Sequence, residues 1–523
     1  MKRALIPLLA ILAALGSAQS KSPLRVGRIT VETLDVYSHA EAGRGFFYRT
    51  ADRLHIETHG DVVRKFLLFE EGDVYNPARL QETERNLRAQ HYLKSATVTA
   101  LPPHDGVVDV IVTTQDAWSI APETKAANNG GAGNYGASIT ETNLLGSGKE
   151  AAVRWTKDVD RTRIGVHYID PMVFNGYWHT HVAYGKLSDG YDHRFTIDRP
   201  FYSFSAPWSA DFTILGFRQT DKFYEDGIVA NRFEHEMKNA VASWGVALDP
   251  NDRAANRIVG GLHVVRDQFE ELASVSTLLP RERNYRYLFA RFEHAENDFI
   301  KLNFVNKDIR FEDFNLGRQY SFEAAVSPRA VGADVNSAYG GVTFANGLSR
   351  GPSSFILGRS SIRSRFDGGM QNATATLETI AVKRSGDEHP STFVGHVELS
   401  TAWRQDVDQQ FFADGLNGLR GYRVHSFEGS RAIVINAEQR FHLGRELLQL
   451  YSPGLVAFVD AGNATSGGLA DLMRLKVDAG VGVRIGLPRT PKNLVRMDVA
   501  YAFMRDPLGR KGFLVSFSSG QAF

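Results

Sequence analysis

From about Ala126 to the C-terminal Phe523, segments of about ten residues alternate apolar and polar side chains, with Gly, Asp, Asn, Ser and Pro clusters between them. No other feature restricts the fold so strongly. A period of two places successive side chains on opposite faces of a strand, so each segment offers one apolar and one polar face. In Lys476–Leu487, Val477, Ala479, Val481, Val483 and Ile485 oppose Asp478, Gly480, Gly482, Arg484 and Gly486. In Leu494–Phe503, Val495, Met497, Val499, Tyr501 and Phe503 oppose Arg496 and Asp498. In Thr392–Arg404, Phe393, Val397, Leu399 and Trp403 oppose His396, Glu398 and Arg404. A soluble sandwich shows similar alternation, but over about 100 residues rather than about 400. Lipid forces every backbone N–H and C=O to pair inside the protein, which a closed sheet achieves. The expected architecture is therefore a transmembrane antiparallel β-barrel over residues 126–523. About five strands follow Arg420 and about fourteen candidates precede it. Barrels of this kind prefer even counts, and some candidates read as arms of long outer hairpins, so about sixteen strands are expected. Asn346-Gly347 and Gly368-Gly369 are among the ambiguous breaks.

The N-terminal quarter has a different texture. Lys2 and Arg3, the apolar Ala4–Leu15 and the small Gly16-Ser17-Ala18 read as a secretory signal over residues 1–18. Its apolar core is too short to span a bilayer as a helix. No later segment has an apolar run of that length, so a membrane role must use strands or a peripheral surface.

Residues 24–118 mix two periods. Val26, Ile29, Val31, Leu34 and Val36 mark a strand, and Val62, Val63, Phe66 and Leu67 recur at helical spacing. Asn76 is a good N-cap and Pro77 suits a first helical position. Leu80 and Leu87 share a face of the helix that follows. Ser95–Leu101 and Val107–Thr113 read as two closing strands. The order β-α-α-β-β gives a small α+β unit with one sheet face under two helices.

Several of these segments together resemble the BamA/TamA-type outer-membrane-protein assembly family, also called the bacterial surface antigen family. In the first unit, Phe69-Glu70-Glu71-Gly72-Asp73-Val74-Tyr75, Leu80, Arg85-Asn86-Leu87-Arg88 and Tyr92-Leu93 are similar to a POTRA domain, as are Val108-Asp109-Val110 and Asp116-Ala117-Trp118-Ser119-Ile120. Glu141-Thr142-Asn143-Leu144-Leu145-Gly146-Ser147-Gly148 is similar to the family's first-strand motif at the barrel entrance, with Asn143, Leu144, Gly146 and Gly148 its signature. Gly418-Leu419-Arg420-Gly421-Tyr422-Arg423 resembles the tip of a loop that folds back into the lumen. The resemblance implies that Arg420, with Gly421 and Tyr422, locks onto acidic wall positions. Glu438 and Asp460 match them, and their alternation independently points them inward. The terminal strand Gly512–Phe523 resembles the C-terminal barrel signal. Phe513, Val515, Phe517 and Phe523 share parity and are expected to face lipid, although Gln521 departs from the usual apolar residue.

A formal charge of +1 argues against a general nucleic-acid binder. With no cysteine in the chain, neither disulfides nor thiolate metal sites arise. Gly131-Ala132-Gly133-Asn134-Tyr135-Gly136 matches a dinucleotide fingerprint by letter but lacks its strand-to-helix context. Gly148-Lys149 is followed by Glu150, so no phosphate loop results. His179 and His181 share a face without a third ligand in view. No metal, no cofactor and no enzymatic activity are expected. The resemblance implies unfolded or partly folded polypeptide clients, outer-membrane lipids and periplasmic or lipoprotein partners. Insertion at the seam between first and last strands and passage through the lumen both stay open, and a passive porin is the alternative.

Overall fold

The structure is a computed structural model and describes residues 23–37, 55–129, 132–174, 176–272, 279–443, 446–448, 450–487, 489–490 and 494–523. The expected signal segment 1–18 lies outside the described residues.

The N-terminal unit runs β1 (Arg25–Leu34), α1 (Gly60–Arg64), α2 (Pro77–Arg88), β2 (Leu93–Ala100) and β3 (Val107–Asp116). β3 is central, parallel to β1 and antiparallel to β2. Its alternate residues Val108, Val110 and Val112 are buried. Val62, Val63, Phe66, Leu80 and Leu87 cover them in one core. The Asn76 side chain accepts a hydrogen bond from the Ala78 N–H at 2.9 Å, with Pro77 at the first helical position, so α2 begins where those residues predict. α1 is shorter than the apolar spacing of 62–67 predicts. It ends at Arg64, and the chain turns to bring Phe66 and Phe69 into the same core.

From Ile120 the chain becomes one large sheet. Among the described residues, twenty strands, from Ile120–Asn129 to Phe513–Ser519, follow one another in chain order, and the order is cyclic, the last strand lying beside the first. Consecutive strands, such as Arg431–His442 and Ser452–Thr465, pair antiparallel. The expectation of about sixteen strands undercounted. All five strands after Arg420 are present, and the excess lies before it. Trp178–Leu187 and Gly190–Arg199, both before Arg420, pair with each other and with both neighbours as full wall strands. Alternation reports how many strands exist, not which of them are interrupted.

The outer face is apolar. Ile139, Leu288, Phe441, Leu455 and Val481 are all more than half exposed. That pattern suits hydrocarbon and would be a severe liability in water. The inner face carries charge, interrupted by apolar patches, one of them near the N-terminal unit. There Phe355, Leu357, Val382 and Val394 point inward and are buried by a short hairpin, Phe299–Leu302 paired with Glu312–Asn315, between two wall strands.

Candidate functional site

At the sheet end away from the N-terminal unit, the loop between Ser391–Trp403 and Arg431–His442 folds inward. A two-residue ladder, Phe411–Phe412 with Glu428–Gly429, draws its arms together. The Asp414 carboxylate accepts from the Leu416 and His425 backbone N–H groups at 2.8 and 2.6 Å, which shapes the tip. Leu419, Tyr422 and Phe427 pack on Ala432, Val434, Ala464 and Ala502 of the wall. The tip is thus held by apolar contact before any charge is considered.

Arg420 is 2% exposed. Its Nε and Nη2 donate to both oxygens of Asp460, each at 2.8 Å, and its Nη1 donates to Glu438 Oε1. This is a guanidinium fork on one carboxylate, with a second carboxylate at its side. The guanidinium carbon lies 3.4 Å over the centre of the Phe458 ring, which supplies a further cation–π contact. Asn436 donates to Asp460 at 2.7 Å and to the Gly418 carbonyl at 2.7 Å, fixing the wall acid and the loop together. Tyr422 donates its hydroxyl to the Val477 carbonyl at 3.1 Å. Gly421 has a steric reason: a Cβ there would stand 2.5 Å from the Asp478 Cβ.

The cluster is larger than the sequence motif. Glu438 also accepts from Arg440 Nε at 2.6 Å. Arg484 donates to Asp498 at 2.5 Å, and Arg496 lies 3.4 Å from the same carboxylate. With Asp478, four arginines and four carboxylates are buried in one patch of inner wall. Asp478, Arg484, Arg496 and Asp498 were all assigned to polar strand faces, and Arg440 shares the parity of Glu438. What the sequence does not reveal is that positions at different heights, Asp460 opposite Asp478 and, further along the same strands, Arg484 opposite Arg496, send their side chains into one cluster. Phe458 is a polar-face position filled by an aromatic, a departure that marks it in retrospect.

The other motif residues go elsewhere. Asn143, Leu144, Gly146 and Gly148 were expected in a first-strand motif. They lie instead in the turn after the second wall strand, Ala132–Glu141, because one further hairpin precedes them. That turn docks the N-terminal unit. Asn143 donates to Thr58 Oγ1 at 2.9 Å and accepts from the Gly148 N–H at 2.7 Å, while Thr58 in turn donates to Asp116. Gly146 has φ +71, and a Cβ would meet the Glu57 carbonyl oxygen at 2.5 Å.

Phe513, Val515 and Phe517 lie on the exposed outer face, but Phe523 does not. The strand stops at Ser519 and the chain turns inward at Gly520, φ +80. The Phe523 ring stacks on His396 with centroids 5.1 Å apart, and the Arg440 guanidinium lies 5.7 Å from its centre. Gln521, the residue that departs from the motif, accepts from Arg484 Nε at 3.2 Å. Shared parity carries no information once a strand has ended. His179 is paired with Asp198 at 3.0 Å, and among the described residues no cluster able to hold a metal occurs.

An all-antiparallel sheet of cyclic order, apolar outside and ionic inside, defines the class of outer-membrane β-barrels. Residues 359–523 match the Omp85 superfamily domain. The matched stretch holds the Arg420 loop, Glu438, Asp460 and the terminal strand, the segments whose motifs resemble that family. No curated protein matches it. Among solved structures, it is similar to BamA from Haemophilus ducreyi lacking POTRA domains 1–3, with 12% identity, 94% of this chain and 84% of that chain covered, and a TM-score of 0.40. It is also similar to CdiB from Acinetobacter baumannii, with 12% identity, coverage of 95% and 74%, and a TM-score of 0.48. CdiB from Escherichia coli gives 11% identity, coverage of 94% and 76%, and a TM-score of 0.46.

Proposed function

We propose that this barrel inserts polypeptides into, or passes them across, the outer membrane, with residues 24–118 acting as a periplasmic POTRA domain that captures clients. The observation that carries this reading is the Arg420 fork on Glu438 and Asp460, found inside the matched domain. A passive pore has no need of an outer loop fastened by ion pairs across its own lumen. A fastened loop that can be released gives the wall two states, which handling a client requires. β1 is an edge of the small sheet; its start is already paired with residues 72–75, and the stretch beyond Ile29 offers a strand-addition site for an extended client.

The seam between Ile120–Asn129 and Phe513–Ser519 is the place where the wall would part. The last strand has 7 residues against 10 in the first, so few ladder bonds need break. The client strand would then replace them, and its own folding would supply the energy. The chain has no cysteine, so pairs can be introduced across this seam without interference. In proteoliposomes, oxidised seam pairs are expected to stop client assembly and reduced ones to restore it. If clients assemble equally fast with the seam covalently shut, insertion at the seam is wrong. If clients also fail to cross or crosslink to the N-terminal unit, the whole reading falls.

A further inference from the structure

The hairpin between wall strands Arg283–Glu296 and Gln319–Ser327 does more than connect them. A turn on the side of the N-terminal unit needs only a few residues, yet this one spans 297–318 and enters the barrel. Leu302, Phe304, Val305 and Leu316 are all buried. Leu302, Val305 and Leu316 pack on the inward Phe355, Leu357, Val382 and Val394. Those four wall residues form an inward apolar patch that matches the hairpin's own apolar face, so the wall is built to receive the hairpin. Thr392 donates its hydroxyl to the Phe304 carbonyl at 2.8 Å, which holds the tip against the wall.

Two sets of polar bonds leave this hairpin in opposite directions. Toward the N-terminal unit, the Arg310 guanidinium donates to the Leu93 and Lys94 carbonyls at the start of β2. Arg88 of α2 forks onto Asp313 at 2.7 and 3.0 Å, and Lys301 reaches Glu84 at 3.1 Å. Toward the lock, Arg440 Nη1 donates to the Val305 carbonyl at 2.6 Å while its Nε holds Glu438. Glu438 is the acid that Arg420 grips. A continuous line of charge-assisted bonds therefore runs from α2 and β2, through the hairpin and Arg440, to the outer loop.

We propose that residues 297–318 form a plug in the periplasmic mouth of the barrel, held from outside by the N-terminal unit and from inside by the Arg420 lock. Releasing either holder loosens the plug. The orientation used here rests on the reading of residues 24–118 as periplasmic. A rigid element with two holders and one apolar seat is the kind of two-state device through which distant sites bias each other.

The test uses the purified full-length chain in planar bilayers and needs no client, so it stands apart from the seam experiment. Replacing residues 299–315 with a short Gly-Ser turn is expected to raise single-channel conductance several-fold. Should the replacement fail to fold, Arg310→Ala with Asp313→Ala keeps the hairpin and cuts its outer holder, and frequent openings are expected instead. Coupling is read separately with Val305→Cys, a buried position. Its maleimide labelling is expected to quicken at least tenfold in the Arg310→Ala, Asp313→Ala background, and also when Arg420→Ala is added instead. Conductance that stays at the wild-type level in both folded variants removes the plug. Labelling that ignores Arg420→Ala removes the coupling to the lock. Conductance that responds as expected while no client is ever handled supports the plug and counts against the proposed function.

Discussion

Arg420 illustrates how one side chain is made indispensable by its surroundings. A buried ion pair gains little net stability over an apolar pair, but removing one partner leaves the other charge stranded. Here Asp460 would lose its arginine, while Glu438 would keep Arg440. Arg420→Ala is expected to destabilise the barrel by about 3–5 kcal/mol if the site stays dry. Urea unfolding in detergent would read that as a lower midpoint. Arg420→Lys is expected to recover only part of it, because an ammonium cannot fork across both Asp460 oxygens. Equal midpoints for wild type and Arg420→Ala would dismiss the lock. Gly421→Ala tests the close approach: the added methyl meets Asp478, so the loop must lift and the same midpoint is expected to fall. Arg420, Glu438 and Asp460 were legible because a motif and a face parity agreed on them. Asp498 and Arg484 had parity alone, and parity says which face a residue is on but not how high along the wall it sits.

At the scale of elements, the contact between α2 and the barrel rim is sensitive to pH. Burial pushes the Glu82 carboxyl above its ordinary value of 4.5, and the Phe204 backbone N–H, donating at 2.9 Å, opposes that only partly. A group with a raised folded value favours the folded contact at low pH and loses that contribution as pH climbs through the raised value. Hydrogen exchange of α2 is therefore expected to slow as pH falls from neutral through that raised value, after correction for intrinsic rates. In Glu82→Gln that change is expected to vanish. An α2 that exchanges faster in acid would contradict the sign. The entrance turn makes a second element-scale prediction. Asn143→Ala loses the bond to Thr58 and the one from Gly148, and leaves the buried Gly148 N–H unpaired, at about 1–3 kcal/mol. Limited proteolysis between residues 118 and 150 is expected to quicken. α2 was legible to the residue, because Asn76 and Pro77 mark a start by local chemistry. The plug hairpin was not. Its apolar residues look like one more strand pair, and only the inward apolar wall patch beneath it shows where it goes.

For the whole molecule, the alternation of apolar and polar residues determined by itself that the C-terminal three-quarters would be sheet with one oily and one ionic side. It also placed the change of texture between an α+β unit and that sheet, because a shift of period from 3.6 to 2 is written residue by residue. Local signals of this kind need no knowledge of what lies across the fold. Tertiary structure alone decided that twenty strands enclose the lumen rather than about sixteen. It alone brought eight ionisable side chains from a loop and four strands into one cluster, turned Phe523 inward, and folded residues 297–318 into the mouth. Each of these depends on register and on where a strand stops. Register is set by the summed pairing of neighbouring strands and by the space they leave between them, and no single segment contains that sum.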